Sequence, residues 1–287
     1  MSNQGTDPEL LKDRQRRDWD AAASGWDKWW PHFERAAQHV SDRLVDLAHV
    51  REGHRVLDIA TGNGEPALTA ARRTGPHGLV VATDQSDGML AIARARASSL
   101  GITNLEFIQA DGEKLDLGER DFDAALCRWG LMFMPNVVGA LKGLHARMVA
   151  GGWFATAVWS SADKVPMITL GAQVVRQLVQ LPPPLPDALE PLRLADPSRL
   201  AAALREARFT DLIIERIPVV FEFATAAAFT QFRYEISAAF RTMLNSQTPE
   251  LRQQILDAIT SAASAYADAS GKVRTVNETI VFAARRE

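Results

Sequence analysis

The stretch Val56-Leu57-Asp58-Ile59-Ala60-Thr61-Gly62-Asn63-Gly64-Glu65 decides the fold, because a short apolar strand runs straight into a glycine loop with a carboxylate near the junction. Glycines at alternate positions let the backbone pass close to a ligand where a Cβ would collide, and the helix that follows offers free N–H groups. Ala67 completes a G-x-G-x-x-A pattern that dinucleotide sites also use, so the glycines alone do not choose a cofactor. Asp58 narrows the choice. A carboxylate four residues before the first glycine is poorly placed beside a pyrophosphate and suits a ligand carrying an ammonium and a sulfonium.

Outward from this loop, strand and helix patterns alternate. Strands are expected over 56–59, 79–83, 105–108, 122–127 and 153–159, and helices over 66–73, 86–100 and 137–148, with a turn at Gly151-Gly152. Met89, Leu90, Ile92 and Ala93 mark the buried side of the second helix. A further helix over 197–207 has Asp196 as its cap, and strands over 212–223 and 275–284 close the fold. Such alternation predicts an α/β protein with a parallel sheet covered on both faces.

Two insertions interrupt the pattern. Residues 160–195 carry an apolar run at 174–181 among Pro166, Pro182, Pro183, Pro184, Pro186 and Pro191, which reads as one helix followed by a stiff proline-bounded loop. Residues 224–272 hold two helical stretches separated at 246–249, the first with Phe229, Phe232, Ile236 and Phe240 on its inner face. The partition expected is a helical lid at 1–49, a cofactor-binding half at 50–159, a cap insertion at 160–195, core at 196–223, a helical cap insertion at 224–272 and a final core strand at 273–287. The plainer alternative for the second insertion is a pair of helices that only cover the fold.

Composition removes several classes. A chain of 287 residues with 47% hydrophobic residues can bury one large core, and its single cysteine, Cys127, excludes an intrachain disulfide or a multi-cysteine zinc site. A formal charge of −3 gives no overall attraction to nucleic acid, and Arg14, Arg16 and Arg17 are offset by neighbouring acids. No window approaches the roughly 20 apolar residues of a spanning helix, so the chain reads as a soluble cytoplasmic protein, monomer or homodimer, without a membrane span.

The segments VLDIATGNGEPAL, VVATDQSDGMLAIARARA, IQADGEKL and FDAALCRWGLMF, with Gly151-Gly152 before the next strand, resemble the class I S-adenosylmethionine-dependent methyltransferases. Among these the chain is most similar to the small-molecule group that includes ubiquinone and menaquinone biosynthesis enzymes. The resemblance covers residues 50–160 well and the rest in outline. It implies a Rossmann-like seven-stranded sheet, mostly parallel with the last strand antiparallel, helices on both faces and a helical cap. It also implies that Asp58, Gly62 and Gly64 hold the methionyl part of S-adenosylmethionine, that Asp84 takes the ribose hydroxyls and that Asp111 lies near the adenine. The family often has a third glycine, and Glu65-Pro66 stands near its place.

Asp84 carries independent weight, since an acid twenty positions beyond Gly64 and just after a strand is spaced to accept from two ribose hydroxyls; a helix cap is the competing role. Ala60, Gln85, Met89, Gly112 and Arg128 complete the expected cofactor set. Arg128 could grip the methionine carboxylate, an acidic substrate group or Asp58, or form a structural ion pair. Four of seven tryptophans fall between Trp19 and Trp30, and so aromatic a segment needs something to cover or touch; a lid, a dimer contact and membrane-surface docking compete. Trp29, Trp30, Trp129, Phe133 and Arg233 are the candidate substrate contacts, and His32 and Tyr234 the candidate catalytic groups. No metal site stands out. The expected function is transfer of a methyl group from S-adenosylmethionine to an O, C or N acceptor on a small, partly apolar molecule. The alternatives are a catalytically silent cofactor-binding or scaffold protein and an NAD-dependent oxidoreductase.

Overall fold

The computed structural model describes residues 8–118, 121–179 and 189–287. Seven strands, β1 (Arg55–Ile59), β2 (Leu79–Asp84), β3 (Leu105–Gln109), β4 (Phe122–Arg128), β5 (Met148–Trp159), β6 (Phe209–Phe223) and β7 (Val273–Arg286), form one sheet in the order β3-β2-β1-β4-β5-β7-β6. β1 pairs in parallel with β2 and β4, β2 with β3, and β4 with β5, whereas β7 runs antiparallel to both β5 and β6. Val56, Leu57, Asp58 and Ile59 are all buried, the pattern of a strand covered on both faces. The order reverses between β1 and β4, and the crevice that this opens at the carboxyl ends of the strands is where such sheets take ligands. Among the described residues no helix is long and apolar enough to cross a membrane.

Nine helices flank the sheet among the described residues: α1 (Pro8–Leu47), α2 (Ala67–Thr74), α3 (Asp87–Ser99), α4 (Val137–His145), α5 (Pro166–Leu178), α6 (Pro197–Glu206), α7 (Ala226–Ile236), α8 (Ala238–Asn245) and α9 (Pro249–Ala263). Asp196 caps α6 through Ser198 N as expected, and Ser86 caps α3 by accepting from Met89 N. Several boundaries differ from the sequence reading. Residues 246–249 do separate two helices, but the first stretch is itself split at Ser237, whose extended backbone and side chain cap α8 through Phe240 N. Gly151 and Gly152 fall inside β5, where the register shifts between Phe122 and Ala124 of β4, and α4 stops at His145, short of 148. The proline loop expected at 182–186 lies outside the described residues.

The aromatic N-terminal segment belongs to a single helix of 40 residues. The second half of α1 is core: Ala36, Ala37, Val40, Leu44 and Val45 are buried against the sheet. Pro31 does not end the helix. Its missing N–H releases the Asp27 carbonyl one turn earlier, and Arg96 Nη2 lies 3.5 Å from that oxygen while donating to Asp27 Oδ1 at 2.7 Å. Toward α7, Trp26 Nε1 donates to Ile236 O at 3.0 Å, and Lys28 pairs with Glu235 at 2.7 Å. Gly25 makes this junction possible, because a Cβ there would lie 2.1 Å from Glu235 O.

Gly25→Ala therefore sets two effects against each other. Alanine favours an exposed helix by about 1 kcal/mol over glycine, whereas overpacking costs about 1–3 kcal/mol. Against backbone only 2.1 Å away the clash wins, so urea denaturation should show a lower midpoint for the variant. A midpoint at or above wild type would contradict this packing.

Candidate active site

The strand that decides the fold, β1, also builds the site. β1 leaves the sheet at Ala60, which has φ 56°, and enters the loop through Gly62 with φ 56° and Gly64 with φ 114°. An added Cβ at Gly62 would meet nothing within 4 Å, so glycine is set there by backbone conformation and the loop faces open space. β4 ends in the same way at Trp129, φ 57°. Two non-glycine residues in the left-handed region, each costing about 1–3 kcal/mol, thus stand at the ends of adjacent strands. Neither was legible in the sequence.

Asp84, at the end of β2, holds the loop in place. Its Oδ2 accepts Gly62 N at 2.8 Å and its Oδ1 accepts Ser86 N at 2.9 Å. Each oxygen keeps lone-pair capacity, and burial pushes the carboxyl up to about 6. The cap of α3 is Ser86, so the competing cap role for Asp84 falls away.

These elements border a cavity of about 410 Å³. Ala60, Thr61, Gly62, Asp84, Gln85, Met89, Asp111 and Gly112 line its β1–β3 end, and Trp129, Phe133, Trp159, Met167, Ile168 and Arg233 line the part beyond β4. Trp129 and Trp159 stack at 4.4 Å with 5° between planes, and Trp129 Nε1 donates to Thr279 Oγ1 at 2.9 Å. α1 supplies a wall with Lys12, Gln15, Trp19, Ala22, Trp26 and Phe33, one helical face. Lys12 reaches Asp111 at 2.7 Å and Glu113 at 2.6 Å, and Asp20 accepts from Ser86 Oγ at 2.6 Å, so charged contacts fasten that wall at the cofactor end.

Arg128 is committed to α1. Its Nη1 and Nη2 donate to Glu34 at 3.0 and 2.6 Å, and Nη1 also donates to Ser41 Oγ at 2.8 Å. Of the partners open to it from the sequence, the structure shows a structural ion pair. Two more buried acids lie nearby. Glu65, near the place where the family often has glycine, accepts from Thr69 Oγ1 at 2.7 Å, and burial first, then Glu34, pushes its carboxyl up to about 7. Asp58 accepts Ala67 N at 3.1 Å and is pushed up to about 8 by burial.

The structure does not bring every expected residue to the cavity. Asp58 is fully buried behind the loop, with Oδ1 unpartnered, and neither it nor Gly64 is among the lining residues. His32 packs among Phe223, Trp29 and Phe232 at 4.5, 5.5 and 5.9 Å; burial and then Arg35 lower its pKa, and it is not among the lining residues of this cavity. Tyr234 turns its hydroxyl to Asn245 Oδ1 at 3.4 Å, away from the lining. Trp29 donates to Glu235 Oε2 at 2.5 Å and packs on α7, and Trp30 carries the Arg96 guanidinium 3.8 Å over its ring. The α1 tryptophans that do face the cavity are Trp19 and Trp26, which the 3.6-residue periodicity of one continuous helix would have selected. Lys12, Phe33, Glu65, Trp159 and Met167 were also missed, and only the α1 members carried a periodic signal.

Replacing Glu34 by glutamine should leave Arg128 without its countercharge. Breaking a buried pair costs about 3–5 kcal/mol, and ionisation of the neighbouring Glu65 holds the loss near the lower figure. Urea denaturation of E34Q and of E34Q/R128M tests this: the single variant should be the less stable. A single variant as stable as wild type would mean the pair is not the tie between α1 and β4.

Residues 56–152 match the family described as Methyltransferase domain. A ubiquinone/menaquinone biosynthesis C-methyltransferase from Pseudomonas putida is 34% identical over 134 residues, 46% of this chain and 48% of that protein. Its counterpart from Ectopseudomonas oleovorans is also 34% identical over 134 residues, which cover 46% of this chain and 73% of that protein. The chain spans about half the length of the first of these curated relatives. In fold it is similar to a putative methyltransferase from Bacillus halodurans C-125, with a TM-score of 0.55 and 19% identity over 86% of this chain and 98% of that one. With the seven-stranded order and the glycine loop already on β1, the matched segment leaves one assignment: the chain belongs to the class I S-adenosylmethionine-dependent methyltransferases, as a relative of the ubiquinone and menaquinone biosynthesis group.

Proposed function

We propose that the chain transfers a methyl group from S-adenosylmethionine to an O, C or N acceptor on a small, partly apolar molecule. The observation that carries this reading is one continuous cavity with the glycine loop and Asp84 at one end and the Trp129–Trp159 stack at the other. The lining fits the cofactor. Asp84 offers acceptors for a ribose diol, and Asp111 and Gly112 line the same end of the cavity. Among the described residues six lining carboxyl groups, Asp18, Glu65, Asp84, Asp111, Glu113 and Glu190, stand against three cations, Lys12, Arg128 and Arg233. That balance opposes a pyrophosphate and favours a cationic ligand.

Bound there, S-adenosylmethionine supplies an activated methyl group and a neutral thioether leaving group. The chain's own contribution is position and dryness. Trp19, Trp26, Phe33, Phe133, Trp129 and Trp159 give the cavity apolar walls that limit water, and fixed walls hold reacting groups in line. The described lining residues include no histidine, tyrosine or cysteine, so neither His32 nor Tyr234 serves as a general base in this reading.

Titration calorimetry with S-adenosylmethionine, S-adenosylhomocysteine and NAD checks the proposal: the first two should bind and NAD should not. Comparable NAD binding would favour an oxidoreductase, and binding of none a scaffold. The same ligands carry a pH signature. Asp58 and Glu65 keep their protons to about 8 and about 7, so the folded chain holds more protons than the unfolded one above about pH 4, and this contribution to stability falls as pH rises through that window. A cation against the loop favours the ionised forms. The rise in melting temperature given by saturating S-adenosylmethionine should therefore be larger at pH 8 than at pH 6; an equal or smaller rise would contradict the charge argument.

A further inference from the structure

Of the three cations that line the cavity among the described residues, two are neutralised. Lys12 lies between Asp111 and Glu113, and Arg128 is held by both oxygens of Glu34. Among the described residues Arg233 has no carboxylate at ion-pair distance. Its Nη1 lies 3.7 Å from the Met167 sulfur and its Nε is buried with no hydrogen-bond partner. Burial alone pushes the guanidinium down to about 10, so it is still charged at neutral pH.

Its position makes the charge costly. Arg233 falls four residues after Phe229 and three before Ile236, both buried, and so lies on the inward face of α7 where an apolar side chain would need no counterion. A half-buried guanidinium with no carboxylate partner among the described residues, on the inward face of a helix, suits an anion from outside the chain. The shape of the group narrows the anion: the planar fork matches a carboxylate through two parallel hydrogen bonds, whereas a phosphate dianion would need a second free cation and would face Glu190 on the same lining.

The surroundings describe the rest of the ligand. Trp129, Trp159, Met167, Ile168 and Ile236 line the cavity with Arg233, and they come from the end of β4, β5, α5 and α7, beyond the ends of β1 and β2 where Gly62 and Asp84 stand. We propose that the methyl acceptor is a carboxylic acid with an apolar body, its carboxylate held by Arg233 and its body packed against the Trp129–Trp159 pair and Met167. This rests on the methyl-transfer reading given above and names the acceptor class for it.

The test separates the two. The protein is first saturated with S-adenosylhomocysteine, and failure of that step counts against the methyl-transfer reading itself. The complex is then titrated with 4-hydroxybenzoate, 4-hydroxycinnamate and decanoate, each beside its primary amide. At least one acid should bind, with its amide at least tenfold weaker, and Arg233→Met should erase that difference while S-adenosylhomocysteine affinity stays within twofold. Methionine suits the apolar face, so the variant should melt no lower than wild type; Arg233→Lys, which keeps the charge without the fork, should retain part of the preference. Equal binding of acid and amide, no binding by any acid, or an acid affinity unchanged in Arg233→Met overturns the proposal. A tenfold loss of S-adenosylhomocysteine affinity in Arg233→Met also overturns it, because the guanidinium would then serve the cofactor's own carboxylate.

Discussion

A guanidinium taken out of water has to find its countercharge, and Arg128 at the end of β4 finds it in Glu34 of α1. That pair ties the middle of the first helix to the centre of the sheet. With Glu34 held at the carboxyl end of the central strand β4, the residues that follow pack as core and the residues before it run along the crevice opened by the strand-order reversal. Ser41 takes a further hydrogen of the same guanidinium, so the register of α1 is set at two points one side of the sheet. The cavity wall made by Phe33, Trp26, Trp19 and Lys12 is a consequence of that register.

The same crevice concentrates strain and charge. Ala60 and Trp129 adopt left-handed backbone at the ends of β1 and β4, and Asp58 and Glu65 are buried acids next to the loop. Each is unfavourable taken singly. Together they leave a site that gains most from a cation at the loop and, beyond β4, from an anion at Arg233. The two halves of the cavity are thus opposite in electrostatic demand, with the apolar Trp129–Trp159 stack on the acceptor side.

Much of this was legible in the sequence. The run from Val56 to Glu65, the acid at Asp84 and the alternation of strands located the sheet and the cofactor end, because local pattern and glycine spacing report on backbone conformation directly. The acceptor side was less legible. His32 and Tyr234 are chemically apt, but their orientation depends on how α1 and α7 rotate against the sheet, and both turn away from the cavity. Trp29 and Trp30 belong to the same aromatic run, but the helix presents Trp19 and Trp26 to the cavity instead. Arg128 left several partners open, since a long-range pair with Glu34 across 94 positions has no local signature. The split of the α7 and α8 stretch at Ser237 was hidden because the residues on either side are good helix formers.

The most direct measurement is a crystal structure with S-adenosylhomocysteine bound. The account predicts the ribose hydroxyls on Asp84, the amino-acid end against the loop at Gly62, and the sulfur directed toward Trp129, with Arg233 not in contact with the cofactor. A nucleoside bound away from Asp84, or one that fills the space between Trp159 and Arg233, would contradict it.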